Sequence, residues 1–200
     1  MNYEIFNLWP VPIYRKNIGM NKEHEDIVKD YKWKKMKSGS GHVTETLSIL
    51  EDDRLADLKQ SIIGAVDEFA NSHYKVKNKF KTIASWALKT EPQEIAGFGE
   101  YHNHSNCVLS ASYYFTRTPE SGGISFERNL TMNPLIAPNF EFEVEEETLD
   151  NTSYVNLEPV TGDLLVFPSY LYHKPIQNMS NQDRLSLGCN LFPQGLSYRS

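Results

Sequence analysis

The part of the sequence that decides the fold is residues 108–127, which read VLSASYYFTRTPESGGISFE. An apolar run ends at the turn-forming segment PESGG, residues 119–123, and a second apolar run follows directly. Proline, serine and paired glycines between two such runs are typical of a connection between β-strands. This segment therefore predicts two strands joined by a short turn.

The same pattern continues on both sides of this segment. Further turn chemistry occurs at residues 161–163, TGD, and 178–183, NMSNQD. Several short strands at this spacing favour a sandwich or a jelly roll over a helical fold. We predict a mostly β fold with flanking helices, a double-stranded β-helix (jelly roll), with strands at residues 82–89, 108–116, 123–127, 154–157, 164–168 and 185–192.

The first 79 residues read differently. Two prolines in residues 6–14 predict an extended arm or an edge strand. Residues 22–37 predict a helix of weak amphipathicity, and residues 51–73 predict a stronger one with Asp52 or Asp53 as its N-cap. Its apolar residues recur every three or four positions: Leu55, Leu58, Ile62, Val66 and Phe69. We predict one domain over residues 1–200, in which 1–79 supports a jelly-roll core at 80–200.

Charge and composition exclude several classes of protein. The net charge of −6 argues against nucleic-acid binding, because phosphate neutralisation requires a basic surface. No apolar run approaches the roughly 20 residues of a membrane span, and the N-terminus lacks a secretory signal. Cys107 and Cys189 lie in apolar runs, which predicts buried free thiols in a reducing compartment. We predict a cytoplasmic protein without nucleic-acid or membrane partners; the sequence gives no oligomeric state.

Histidines carry the first chemical signal. His102 and His104 are separated by one residue, so on a strand both imidazoles point to the same face. His173 ends the apolar run LLVFPSYLYH, and a jelly roll places such strands opposite each other. These three histidines are the candidate metal ligands. The others are predicted to face solvent on helices or to lie in a glycine-rich turn: His24, His73 and His42.

Arg184 carries the second signal. It alternates with Ser186 in the strand-like segment DRLSLGCNLF, so both side chains share one face. A guanidinium inside a barrel is costly unless an anion meets it, and its planar fork suits a carboxylate. The alternative is a salt bridge to a glutamate of the acidic segment 141–147.

Taken together, these motifs resemble the Fe(II)- and 2-oxoglutarate-dependent oxygenases. That superfamily has His-x-Asp, a distal His, and an Arg followed by Ser. The segments SASYYFTRTPESGGISFE, GDLLVFPSYLYHKP and SLGCNLF look like its prolyl-hydroxylase-like members, and in particular like a branch found in bacteria and marine phages. The resemblance covers about residues 85–192. For a phage-encoded member, the compartment would be the host cytoplasm.

The resemblance implies a jelly-roll hydroxylase that uses Fe(II), 2-oxoglutarate and dioxygen and releases succinate and carbon dioxide. Its implied metal ligands are His102, His104 and His173, and the three form the catalytic set with Arg184. Its implied 2-oxoglutarate site is formed by Arg184, Ser186 and Tyr114. Of these, Tyr114 aligns with the second tyrosine of the family's Tyr-Tyr pair. Tyr113 points to the other face and is predicted to pack.

One position departs from the superfamily pattern. His104 stands where most members have Asp, whereas Fe(II) is usually held by two histidines and one carboxylate. In the alternative reading, one histidine of the pair is not a ligand, and Asn106 or Glu100 completes the site.

Other functions stay open at this stage. A cupin-like metalloenzyme could use the same histidines without 2-oxoglutarate, and a non-enzymatic jelly-roll binding or virion module would use the fold alone. The substrate is an unknown small molecule or protein. Tyr101, Trp86 and the acidic segment 141–147 are candidate mouth residues; an acidic lid would favour a cationic or peptide substrate, unless the segment is simply solvated.

Overall fold

The computed structural model describes residue 4 and residues 10–36, 41–94, 100–128 and 143–196. These ranges contain β-strands, two α-helices and two short 3-10 turns, Ile49–Glu51 and Asp53–Leu55. The helices are α1 (Lys22–Lys29) and α2 (Ala56–Ser72). The strands are β1 (Tyr14–Asn17), β2 (Trp33–Lys35), β3 (His42–Thr44), β4 (Phe80–Thr90), β5 (Leu109–Thr116), β6 (Ile124–Glu127), β7 (Tyr154–Leu157), β8 (Asp163–Pro168), β9 (His173–Pro175) and β10 (Arg184–Pro193).

The strands form two antiparallel sheets. The larger sheet has the order β1-β8-β5-β10-β4-β3-β2, and the smaller has the order β7-β6-β9. Every strand predicted from residue 82 onward is present, with its bounds shifted by at most two residues. The architecture is mostly β with flanking helices, as predicted.

Two apolar clusters hold these layers together. The first joins α2, through residues such as Ile62 and Phe69, to the outward side chains of the larger sheet. The second lies between the sheets and includes Phe126 of β6 and Phe167 of β8, whose ring centroids are 5.0 Å apart. Alternation along each strand explains both clusters, because successive side chains point to opposite faces. The inner face between the sheets is where the predicted site residues point.

The prediction of a helix over residues 22–37 is wrong in its second half. Helix α1 begins after its N-cap Asn21, whose side chain accepts a hydrogen bond from the Glu23 backbone N–H, and it ends at Lys29. Residues Trp33–Lys35 form β2 instead and pair with β3. The lysine-rich segment offers no apolar stripe to bury as a helix, whereas an edge strand needs only backbone partners.

The helix predicted over residues 51–73 starts later than expected. Its first residues form the 3-10 turns, and α2 begins at Ala56. Asp52 does act as a cap, but for the second turn: its carboxylate accepts a hydrogen bond of 3.0 Å from the Arg54 backbone N–H. The apolar periodicity detected the buried face correctly and placed the first turn of the α-helix too early.

The segment before residue 80 therefore contributes strands as well as helices. β1 pairs with β8 at one edge of the larger sheet, while β3 and β2 extend the opposite edge beyond β4. Of the predicted arm, residues 6–9 lie outside the described residues, residues 10–13 form no helix or strand, and Tyr14 begins β1 at the edge of the larger sheet. The single domain with a supporting part at 1–79 and a core at 80–200 stays a prediction.

Neither described helix has the length and apolarity that a membrane span needs.

Two predictions about burial need correction. His24 does not face solvent: it is 6% exposed, and its Nε2 lies 2.8 Å from an Asp57 carboxylate oxygen of α2. His73 is exposed, as predicted. Cys189 is a buried free thiol, but Cys107 is only half-buried. His24 could not be placed from sequence because its partner lies on another helix.

Glu25 connects α1 to the larger sheet through a hydrogen bond. Its carboxylate accepts a hydrogen bond of 2.7 Å from Thr116 at the end of β5, and Lys29 and Lys22 lie 2.6 and 2.9 Å away. Burial by itself would raise the pKa of Glu25, but the hydrogen bonds from Lys29, Thr116 and Lys22 outweigh it and lower the pKa to about 2.

Acidification should therefore loosen this contact. A carboxyl group whose pKa is lower in the folded than in the unfolded state stabilises the fold above its ordinary pKa of 4.5, and this stabilisation is lost as the pH falls toward about 2. We expect the melting-temperature difference between wild type and Glu25→Gln to be largest above pH 4.5 and to shrink below it. Glu23→Gln, an exposed position on the same helix, is the control; a constant difference for Glu25→Gln would contradict the argument.

Candidate active site

Three histidines meet between the sheets. His102 pairs with His173 of β9 through two backbone hydrogen bonds of 3.0 and 2.9 Å, and the His104 N–H donates to the Ser169 carbonyl at 2.9 Å. This ladder holds the segment 102–104 beside β9. The imidazole centroids lie 4.6 Å (His102–His173), 5.2 Å (His104–His173) and 5.4 Å (His102–His104) apart. One nitrogen from each ring lies within 4.8 Å of the other two.

Hydrogen bonds and burial determine the tautomer and the charge of these imidazoles. Nδ1 of His173 lies 2.9 Å from the Leu171 carbonyl, and Nδ1 of His102 lies 3.3 Å from the Glu100 carbonyl. A carbonyl only accepts, so Nδ1 carries the proton and Nε2 the lone pair in each neutral ring. Burial lowers the pKa of His102, and it lowers the pKa of His104 to about 4 and that of His173 to about 3. All three are neutral at neutral pH, as metal ligands must be.

No carboxylate belongs to this cluster in the described part of the chain. Glu100 is exposed and contributes only its backbone carbonyl, and Asn106 is exposed and does not line the cavity. The alternative in which either residue completes the site therefore gains no support from the geometry. The candidate donor set in the described residues is three imidazoles.

Arg184 is buried in the same region. It is 2% exposed, and burial lowers its pKa, yet it forms no ion pair within the described ranges. Its Nη1 donates to the Ser121 carbonyl at 2.6 Å and to the Ile176 carbonyl at 2.8 Å, and its Nη2 donates to the Thr90 hydroxyl at 3.3 Å. A guanidinium has five N–H groups. Those on Nε and the second on Nη2 have no acceptor among the described residues.

Two hydroxyl groups accompany the guanidinium. Ser186 of β10 lies directly opposite Tyr114 of β5. Neither hydroxyl forms a hydrogen bond with a described residue, although Tyr114 is only 4% exposed. Burial raises the pKa of Tyr114 to about 12, so it is a neutral donor. Tyr113 packs on the other face, as predicted, with its hydroxyl donating to the Gly19 carbonyl at 2.8 Å.

A β-bulge sets this arrangement. The register between β10 and β5 shifts between Leu185 and Ser186, so Phe115 has no partner on β10. Bulges add a residue to one strand and re-aim the side chains beside it. Tyr113 and Phe115 both belong to the first apolar cluster, which faces α2, whereas Tyr114 belongs to the second cluster, between the sheets. The bulge was not predictable from sequence, since all three residues are aromatic.

All six predicted site residues line one cavity of about 430 Å³. They are His102, His104, Tyr114, His173, Arg184 and Ser186. Trp86, a predicted mouth residue, also lines it, with its ring centroid 5.7 Å from that of His104. Gly188 faces Trp86 across β10 and β4, and a Cβ there would lie 2.8 Å from the indole. Strand β10 therefore has glycine at the point where the Trp86 indole crosses it.

Sequence reasoning missed part of this cavity. Leu88 of β4, Val43 of β3 and Lys34 of β2 also line it. Leu88 had a signal, because it shares a strand face with Trp86. Lys34 had none, since residues 22–37 were predicted to form a helix, and Val43 had none, since no strand was predicted at residues 42–44. Tyr101 and the described part of the acidic segment, residues 143–147, do not line the cavity. Tyr101 instead contacts Ser125 and Lys174.

A second group of possible metal ligands lies at the sheet edge. It consists of His42, Glu91 and Glu94, with their ligand atoms within 4.8 Å of one another. Lys89 Nζ lies 3.4 Å from the Glu91 carboxylate, so an ammonium already offsets charge there. His42 itself begins β3 rather than lying wholly in a turn. The histidine cluster in the cavity, which has no such ammonium among its described contacts, is therefore the stronger candidate for a metal site.

The backbone at Gly122 lies too close to Arg184 to leave room for a side chain. Its φ is +71°, and a Cβ there would lie 2.4 Å from the Gln177 carbonyl oxygen and 2.8 Å from Arg184 Nη1. We expect Gly122→Ala to lower the melting temperature and weaken binding of any anion at Arg184. Gly64→Ala, in exposed helix with nothing within 4 Å of the added Cβ, is the control and should stabilise by about 1 kcal/mol. Thermal unfolding of both variants measures the change in stability, and titration with a dicarboxylate measures anion binding; equal changes in melting temperature would contradict the argument.

A comparison with protein families gives one match. The family described as "Putative 2OG-Fe(II) oxygenase" matches residues 84–190, which is more than half of the chain and includes all six predicted site residues. No curated protein matches the chain.

Solved structures support the fold. HygX from Streptomyces hygroscopicus, with nickel and 2-oxoglutarate bound, is 11% identical, and the match covers 92% of this chain and 84% of that one with a TM-score of 0.60. A prolyl-4-hydroxylase from Pseudomonas putida is 12% identical, with 92% and 94% covered and a TM-score of 0.56. SnoK, a carbocyclase from nogalamycin biosynthesis, is 13% identical, with 90% and 79% covered and a TM-score of 0.62. The predicted jelly roll is confirmed.

Proposed function

The chain belongs to the 2OG-Fe(II) oxygenase family, whose cofactors are Fe(II) and 2-oxoglutarate, and from this premise we propose that it hydroxylates a bound substrate with release of succinate and carbon dioxide. His102, His104 and His173 would hold Fe(II). Arg184, Ser186 and Tyr114 would hold the far carboxylate of 2-oxoglutarate. Membership of the bacterial and phage branch stays a prediction.

The residues present fit both cofactors. Imidazole is a good ligand for Fe(II), and three protein ligands leave coordination positions open, as catalysis requires. Three neutral ligands leave more positive charge on the metal than the usual carboxylate set does, and the dianionic cosubstrate offsets that charge. The Arg184 fork has two N–H groups without described acceptors, and a carboxylate accepts such a pair.

One observation carries the proposal: a guanidinium that is 2% exposed and has no anionic partner among the described residues lines the same cavity as the three histidines. A buried charge is costly unless it is compensated. A closed structural metal site would not need this charge, and neither would a cupin-like enzyme that does not use 2-oxoglutarate. The arginine therefore favours a diacid cosubstrate over both alternatives.

Each side chain has a distinct task in this mechanism. When bound, the iron and 2-oxoglutarate supply the oxidising chemistry with dioxygen. The carbonyls of Leu171 and Glu100 hold the rings of His173 and His102 with Nε2 as the basic nitrogen. Arg184 fixes one end of the cosubstrate. The Tyr114 phenol remains protonated because burial raises its pKa to about 12, so it can donate to a carboxylate.

Anaerobic reconstitution tests the proposal. Folded protein is loaded with Fe(II) and 2-oxoglutarate without oxygen, and we expect the weak visible absorption band of keto-acid chelation. Succinate should form once oxygen is admitted. Glutarate, which lacks the keto oxygen, is the control and should give no band. Iron-loaded, folded protein that gives neither band nor succinate would overturn the proposal.

A further inference from the structure

The cavity continues beyond the histidines along one row of directly paired residues. Tyr114 of β5 pairs with Ser186 of β10, and Ser186 pairs with Leu88 of β4. Leu88 pairs with Val43 of β3, and Val43 pairs with Lys34 of β2. Direct partners share a sheet face, and all five residues line the cavity. The row runs from the cosubstrate end of the cavity to the edge of the larger sheet.

The chemistry changes in order along this row. Tyr114 and Ser186 present hydroxyl groups, Leu88 and Val43 present apolar side chains, and Lys34 presents an ammonium group. Further apolar side chains line the same cavity: Met36, Leu47, Ala84 and Trp86. A molecule lying along the row therefore meets a polar end, an apolar middle and a cationic end.

Charge in the cavity has one sign. The chain carries a net charge of −6, yet no Asp or Glu is among the described residues that line the cavity, whereas Lys34 and Arg184 both are. The described part of the acidic segment, residues 143–147, lies elsewhere on the surface. This distribution opposes the cationic substrate that an acidic lid would favour. With Arg184 assigned to the cosubstrate, Lys34 is the cation left for the substrate among the described residues of the cavity wall.

We propose that the substrate is a small molecule with an apolar body and a terminal carboxylate, and that the carboxylate binds Lys34. This assignment rests on the proposed oxygenase function. The apolar body packs against Leu88, Val43 and Trp86, and Trp86 lies beside His104. Two strand spacings separate β4, whose Trp86 lies beside His104, from β2, which gives roughly 10 Å between the backbones at Leu88 and Lys34. An alkyl chain of medium length spans this distance.

Calorimetry with three probes of equal length tests the proposal. Octanoate, octanol and octylammonium are titrated into wild-type protein loaded with Fe(II) and 2-oxoglutarate under anaerobic conditions. We expect octanoate to bind most tightly and octylammonium least. Lys34→Met should weaken octanoate by about fivefold, the size expected for an exposed ion pair, and leave octanol unchanged. Lys35→Met is the matched control, because Lys35 is exposed on the same strand and does not line the cavity.

Each contrary result has a defined meaning. Equal octanoate affinity in wild type and Lys34→Met, or tighter binding of octylammonium, would overturn the substrate assignment. Loss of the keto-acid band on adding octanoate would also overturn it, since the carboxylate would then occupy the Arg184 site. The band is recorded before each titration. Its absence at that point would overturn the proposed function itself, which separates the two failures.

Discussion

Replacing Arg184 by methionine is expected to weaken 2-oxoglutarate binding by roughly a hundredfold while leaving Fe(II) binding intact. The guanidinium is 2% exposed, and a fork of charge-assisted hydrogen bonds in such a site is worth about 3 kcal/mol. Methionine fills a similar volume without charge or donors. The affinity is measured by anaerobic titration of the keto-acid band, and the iron affinity by a separate titration without cosubstrate.

A structural effect must be separated from this loss, because Arg184 also holds the carbonyls of Ser121 and Ile176. Arg117 provides the control. Its Nε donates to the Gly122 carbonyl at 3.0 Å and it pairs with Glu158, but it does not line the cavity. Arg117→Met should lower the melting temperature and keep 2-oxoglutarate affinity within a few fold. Normal turnover in Arg184→Met would instead favour a metalloenzyme that does not use 2-oxoglutarate.

The strands of the core were predictable because their signals are local. Alternation and turn residues placed β7 at Tyr154–Leu157 to the residue and β8 within one residue. The candidate site was predictable for the same reason: His102 and His104 share a face by spacing alone, as do Arg184 and Ser186. The arrangement of these pairs around one cavity depends on the sheet order, which no local pattern encodes; the family resemblance implied only that these residues form one site.

The parts that failed depend on partners distant in sequence. Residues Trp33–Lys35 form a strand only because β3 is available to pair with them, and the lysines give no sign of it. His24 is buried because Asp57 lies against it from another helix. The cavity wall at Val43 and Lys34 follows from the same edge strands. The proposed substrate end of the site was therefore not predictable from the sequence, whereas the residues of the proposed metal and cosubstrate ends were.

Replacing His104 by alanine is expected to lower Fe(II) affinity by more than about 100-fold and to stop succinate formation. Loss of a residue that merely supports a ligand already costs 10–100-fold, so loss of a ligand should cost more. His104→Asp is the informative partner. It restores the carboxylate usual in this superfamily, and its negative charge should hold Fe(II) at least as tightly as wild type. Iron content after anaerobic equilibration measures both variants.

The two variants together test whether His104 is an iron ligand. His73→Ala, at an exposed histidine outside the cavity, controls for loss of an imidazole and should bind iron as wild type does. If His104→Ala also retains iron, His104 is not a ligand and the metal is held by His102 and His173 with another group. If both His104→Ala and His104→Asp lose iron while folded, the site requires three imidazoles specifically, and charge at this position is not what holds the metal.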